Sequence, residues 1–139
     1  MDGKIFVDTN ILIYAHDKDA GGKHFLARNI ITDLWENKNG ILSTQVLQEF
    51  YVNVTKKIQK PLSKNEAREI IQQYFTWEVV LINNEMILQA SRIEEKQKIS
   101  FWDALIVVAG NQVNASFLLS EDFNHAQRFG NLLVQNPFK

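Results

Sequence analysis

The chain contains no cysteine. Disulfides, thiolate-held zinc and a cysteine nucleophile are thereby excluded, although the absence says little about compartment. Charge of one sign is lacking too: 15 basic residues face 16 acidic ones, for a formal net charge of -1. Such a molecule has no overall field to attract nucleic acid, so any contact with a polyanion must come from a local patch. Long apolar runs are also missing. Acids and lysines interrupt the start at Asp8 and again from Asp17, which argues against a signal peptide, and no run approaches the roughly 20 apolar residues that cross a bilayer. A soluble, cytoplasmic protein with no membrane partner is expected. Repeats, low-complexity tracts and linkers are absent, and Pro61 and Gly21-Gly22 read as turns, not boundaries. What is present is 139 residues with 45% apolar and 11% aromatic content. That suffices for one packed core, so a single domain over residues 1–139 is expected.

Five short apolar segments read as strands: Ile5–Val7, Ile41–Leu42, Val79–Ile82, Phe117–Leu119 and Leu132–Val134. Each is continuous and not alternating, the pattern of strands covered on both faces in a parallel sheet. Between them lie segments of helical period. Thr44–Ile58 carries Val46, Leu47, Phe50, Tyr51 and Val54 on one side. Ser63-Lys64-Asn65-Glu66 has the form of a capping box opening a helix through about Phe75. Asn84–Lys98 and Phe101–Gln112 make two more. Strands alternating with helices predict an α/β fold, a parallel sheet of about five strands covered by helices on both faces.

Open parallel sheets place ligands beyond the carboxyl ends of their strands. Past Ile5–Val7 comes Asp8-Thr9-Asn10; past Ile41–Leu42 comes a helix carrying Glu49; past Phe117–Leu119 comes Ser120-Glu121-Asp122. Asp103 opens a helix otherwise rich in Ala, Leu, Ile and Val, and shares a face with Ile106, Val107 and Gly110. Hard cations such as Mg²⁺ and Mn²⁺ take oxygen ligands, and carboxylates gathered at one end of a sheet supply them. Each acid also has a plainer reading. Asp8 or Asn10 can cap the following helix. Ser100-Phe101-Trp102-Asp103 fits a capping box, Glu49 fits a solvated helix, and Asp122 fits a turn. Singly these signals are weak; their joint placement raises them.

Phe6-Val7-Asp8-Thr9-Asn10-Ile11-Leu12, Gln48-Glu49-Phe50-Tyr51, Phe101-Trp102-Asp103-Ala104-Leu105-Ile106 and Leu119-Ser120-Glu121-Asp122-Phe123 together resemble the signature segments of PIN domains. The closing Asn136-Pro137-Phe138 is similar to the end of many bacterial members. The group most resembled is the VapC-type toxin ribonucleases of toxin–antitoxin pairs. The resemblance implies a Mg²⁺- or Mn²⁺-dependent endoribonuclease, homodimeric and held inactive by a cognate antitoxin. It implies that Asp8, Glu49, Asp103 and Asp122 are the catalytic and metal-binding acids. Ser120 matches a supporting hydroxyl position and Asn10 a supporting polar one. Asn124 stands where some members carry a further acid, which leaves a second metal ion open.

Other polar groups carry less. His16, His24 and His125 lack metal-binding spacing and read as surface or loop residues, His125 with a minor role near Asp122. Lys56, Lys57, Lys60, Lys64 and Arg68 surround one acid, Glu66, and read equally as a phosphate-tracking patch for RNA or a solvated face. Trp35, Trp77 and Trp102 read as core and not as base-stacking platforms. Three other functions are weighed. A haloacid-dehalogenase-like phosphatase needs an acid where Asn10 stands. A phospho-receiver module needs an aspartate where Asn83-Asn84 follows the third strand. A catalytically silent RNA- or protein-binding module would be expected to have lost acids, and all four are present.

Overall fold

A computed structural model describes residues 3–139. Six strands form one sheet in the order β3-β2-β1-β4-β6-β5: β1 Ile5–Val7, β2 Gly40–Ser43, β3 Glu78–Val80, β4 Phe117–Leu119, β5 Arg128–Phe129 and β6 Leu132–Gln135. All neighbours pair in parallel except β5, which runs antiparallel to β6 with Phe129 opposite Leu132. Six helices flank the sheet: α1 Thr9–His16, α2 Gly22–Asn37, α3 Thr44–Lys56, α4 Lys64–Tyr74, α5 Asn84–Gln97 and α6 Phe101–Gln112. Helices α1 to α4 pack as one group and α5 with α6 as another. Right-handed crossovers require this split, because the chain leaves β1 in one direction for β2 and β3 and returns past it to β4.

Local sequence explains most of these elements. β1, β2 and β4 carry apolar side chains buried on both faces, with Phe6, Val7, Leu42 and Leu118 fully buried. Ser43, Ser63, Asn83 and Ser100 each cap a helix through the side-chain oxygen. At Ser63 the box closes, since Glu66 also accepts from the Ser63 N–H at 3.2 Å. α6 is buried from Ala104 through Gly110 without a break, so the apolar face drawn through Asp103 is one side of a helix that lacks a solvent side there.

The structure differs from the sequence reading at several points. Among the described residues a sixth strand joins the five read from the sequence, because Arg128–Phe129 turns back on β6 through Gly130 at φ 65°. β3 begins at Glu78 and ends at Val80, and it forms one edge of the sheet with Glu78 exposed. His16 and His24 are packed side chains, not surface ones. His16 shares a hydrogen bond with the Tyr74 hydroxyl at 2.7 Å, and burial, then His24, depresses its pKa to about 4. His24 is 7% exposed, with Nδ1 2.9 Å from the Tyr14 carbonyl. Trp77 packs edge-on against Tyr74 and Trp35 lies tilted over the same ring, still 38% exposed, whereas Trp102 is 60% exposed, so neither Trp35 nor Trp102 is the core residue expected.

Candidate active site

The order in which strands are added reverses at β1, and the crevice at such a switch point is where open α/β sheets bind ligands. Asp8 leaves β1 there and Ser120 leaves β4 beside it. Asp8 is 4% exposed and Ser120 fully buried. Asp8 does occupy the N-cap position of α1, yet its Oδ1 accepts only from the adjacent Thr9 N–H, at 2.7 Å. Its Oδ2 accepts from the Ser120 hydroxyl at 2.7 Å. The same hydroxyl oxygen accepts from the Asp122 N–H at 3.0 Å and from Asn10 Nδ2 at 3.5 Å. With its lone pairs so used, the Ser120 proton has one direction left, towards Asp8. Asn10 Oδ1 accepts from the Glu121 N–H at 3.4 Å, so the amide is committed to the loop and does not stand in for a general acid.

The other acids arrive on separate elements. Glu49, on the second turn of α3, accepts from the Thr9 hydroxyl at 2.6 Å and from Gln45 Nε2 at 3.5 Å. Gln45 also donates to the Trp102 carbonyl at 3.1 Å, tying α3 to the first turn of α6. Asp103 lies on that turn. Its N–H bonds the Ser100 hydroxyl at 3.0 Å, but the returning arm of the box, complete at Ser63, is not formed at Ser100. Asp122 is exposed in the turn after β4.

The electrostatics join the four. Burial, followed by the negative charges of Asp122 and Asp103, pushes the Asp8 carboxyl up to about 7, against the lowering by Ser120 and Thr9. Asp103 is raised by burial, then by Asp122, and also by Glu49. Among the described residues, no three His, Asp or Glu side chains meet as a finished cation cage. The donor set nonetheless fits a hard cation. It is all oxygen, and Asp8 lies buried without a cationic partner among the causes that move it. Mg²⁺ keeps several of its waters and needs only one or two direct carboxylates, so a closed cage is not required.

Beside the acids opens a cleft of about 550 Å³ walled by Thr9, Asn10, Gln45, Glu49, Trp102 and Asp122, with Lys57 at its margin. Of the five basic residues singled out in sequence, Lys57 alone lines it. Lys56, Lys60, Lys64 and Arg68 are exposed elsewhere, and Lys60 reaches Asp19 at 3.9 Å. His125 turns to the C-terminal segment, where Nδ1 accepts from the Asn136 N–H at 3.1 Å. Sequence reasoning missed Thr9, Gln45 and Trp102. Gln45 precedes Glu49 by one helical turn, the available signal for that contact. It also missed Glu121, gripped by the Tyr14 hydroxyl and by Lys23 Nζ at 2.8 Å. Partial burial opposes ionisation there, but those two donors hold the Glu121 carboxyl below its ordinary value.

Removing the Ser120 hydroxyl strips Asp8 of a buried donor and frees the Asp122 N–H. Ser120→Ala is therefore expected to cost about 1–3 kcal/mol in chemical denaturation. An unchanged midpoint would show that the hydroxyl is replaceable by water.

Among curated proteins no sequence matches significantly. Solved structures do. A toxin–antitoxin complex from Klebsiella pneumoniae superposes with a TM-score of 0.69 at 17% identity, over 99% of each chain. VapBC2 from Rickettsia felis, bound to a DNA fragment from its promoter, gives 0.65 at 23% identity, over 95% of this chain and 97% of that one. VapC20 from Mycobacterium tuberculosis, a toxin that cleaves the sarcin–ricin loop, gives 0.62 at 18% identity, over 83% and 87%. At such identities the likeness speaks for the fold. The model of the PIN domain matches residues 5–129, from the first residue of β1 to the last of β5, and on that match the chain belongs to the PIN domain family.

Proposed function

We propose that this protein is a divalent-metal-dependent endoribonuclease that hydrolyses phosphodiester bonds in RNA, and that it is the toxin of a toxin–antitoxin pair. The observation that carries the reading is the buried Asp8, held by Ser120 and Thr9 at the β1–β4 crevice, with the charges of Asp122 and Asp103 acting on it and that of Glu49 acting on Asp103. Asp8, Asp103, Asp122 and Glu49 would hold Mg²⁺ or Mn²⁺, directly or through its waters. A bound cation of this kind acidifies water and offsets charge on phosphoryl oxygens. Ser120 fixes the rotamer of Asp8. Thr9 and Gln45 fix Glu49, and Gln45 sets the spacing between α3 and the turn that carries Asp103. Asn10 and Ser120 together hold the backbone on which Asp122 sits.

The structural relatives are described as toxin–antitoxin and VapBC complexes. For this chain we likewise propose a cognate antitoxin, here one that silences the site, and add to it a homodimer and a cytoplasmic setting. No helix among the described residues is long and apolar enough to cross a membrane.

The test is cleavage of end-labelled single-stranded RNA by purified protein. Product should form with Mn²⁺ or Mg²⁺ and cease with EDTA; equal product in both conditions, or none in either, overturns the reading. Among the lysines, Lys57→Ala should weaken RNA binding and flatten the slope of log K against log salt by about 0.7, the share of one single-stranded phosphate. Lys60→Ala and Lys64→Ala should leave that slope unchanged. An equal effect from all three would mean a diffuse field and not a contact at the cleft.

A further inference from the structure

Trp102 stands out among the residues of the cleft. It is the largest side chain there and is 60% exposed. It sits immediately before Asp103 on the first turn of α6. Its root is fixed, because its carbonyl accepts from Gln45, and the Phe101 ring meets it edge-on at 5.3 Å and 81°. A large aromatic left in water at a fixed position costs hydrophobic free energy unless a partner covers it.

The surroundings select the partner. An anchor for a protein partner is expected within an apolar patch, and the more apolar surface is the neighbouring groove, which shares Val52 with the cleft and is lined further by Leu47, Tyr51, Ile71 and Phe75 between α3 and α4. Around Trp102, by contrast, the cleft sets two carboxylates, four amides, the Thr9 hydroxyl and Lys57 beside the apolar Ile13 and Val52. Along α3 and its C-cap, Gln45, Glu49, Asn53 and Lys57 recur every fourth residue and all line this cleft. That row begins at the acids and ends in a cation about 12 Å beyond Glu49 along the helix axis, at about 1.5 Å per residue. An aromatic face, an acid cluster suited to a cation and a distant lysine suit a strand with bases and phosphates.

We propose that Trp102 is a stacking platform for one unpaired base of single-stranded RNA beside the cleaved bond, with Lys57 meeting a phosphate further along the strand. The proposal rests on the nuclease reading for the position of that bond, but its test needs no cleavage. Because every base has an aromatic face, the contact accepts any base and requires that the base be unpaired.

The experiment is a thermodynamic cycle in an Asp8→Asn background, read by fluorescence anisotropy in Mg²⁺. The probes are a short labelled oligoadenylate and the abasic ribose-phosphate chain of equal length. Trp102→Ala should weaken oligoadenylate binding roughly 5- to 150-fold, Trp102→Phe should restore most of it, and neither change should alter binding of the abasic chain. Equal losses on both probes would mean the indole acts through shape or fold, and would overturn the proposal. Unchanged affinity together with an altered oligomeric state of Trp102→Ala would assign the indole to a protein interface and overturn it too. If the wild type cleaves RNA but the cycle shows no coupling, the platform fails and the nuclease stands. A coupled cycle without cleavage by the wild type keeps the platform and refutes the nuclease.

Discussion

Replacing Asp103 by Asn should lower the single-turnover rate of RNA cleavage by at least ~10³, and Asp8→Asn should do the same. Asparagine preserves size and much of the hydrogen bonding but removes the charge, and charge is what the site supplies. The Asp103 N–H keeps its Ser100 partner whatever the side chain, so the helix start survives the change. The neutral amide is a poor ligand for a hard cation and cannot offset the charge of a bound water that is losing its proton. KM should move little, since the loss falls on the transition state. The two changes should also combine sub-additively, because acids that act as a unit are lost as a unit. Glu95→Gln, an exposed acid on α5, is the control and should cleave as the wild type does. Wild-type rates in both Asp variants would detach the acid cluster from the chemistry.

The second large effect is on stability and has a definite pH course. The Asp8 carboxyl releases its proton near 3.8 when unfolded and near 7 when folded. As pH rises between those values, the unfolded chain has let go of a proton that the folded one retains, so folding becomes less favourable. Above about pH 7 the full penalty applies, on the order of 4 kcal/mol as an upper bound. His16 works in the opposite sense over an overlapping range. It is held neutral down to about 4 when folded, so stability is lost as pH falls from its ordinary 6.5 towards that value. The wild-type curve is therefore the sum of two opposed slopes, and the informative quantity is its difference from Asp8→Asn.

In EDTA the contribution of the Asp8 charge to that difference should be negligible near about pH 4 and grow in favour of the variant up to about pH 7. The difference is reduced throughout by the poorer fit of an amide to two donors, a cost of about 1–3 kcal/mol. At mildly alkaline pH the metal-free variant should be the more stable by about 1–3 kcal/mol, or several degrees in melting temperature. Excess Mn²⁺ should reverse the ranking, since a ligand at about 100 times its Kd stabilises the wild type by about 2.7 kcal/mol and the variant less. A pH-independent difference, with equal gain from Mn²⁺, would mean that Asp8 is a helix cap and nothing more.

Much of this arrangement could be read from the chain. The strands that carry the site are short unbroken apolar runs, and Asp8, Ser120 and Asp122 follow them directly. What escaped reading depends on partners distant in sequence. α2 opens at Gly22 without a side-chain cap, so its buried row of His24, Ala27, Ile31 and Leu34 had no start signal. β5 is two residues long and exists only through pairing with β6. Trp102 was assigned inward because tryptophan usually is, whereas its place on the first turn of α6 leaves the ring in the cleft. The basic cluster was one patch in sequence, but the end of α3 and the start of α4 separate its members, and Lys57 alone meets the cleft.

Asp8 and Ser120 stand 112 positions apart, and this separation bears on how the protein is made. At about 5–20 residues per second, a ribosome needs on the order of 10 s to carry synthesis from one to the other. Throughout that interval β1 lacks its β4 neighbour and Asp8 lacks its hydroxyl partner, so the emerging chain holds only half of the crevice. Pairing of such distant strands is also slow, because loop closure must precede any gain from contact. The geometry thus delays competence until translation has passed β4, so the nuclease proposed above would be inert while its own message is being read through that point.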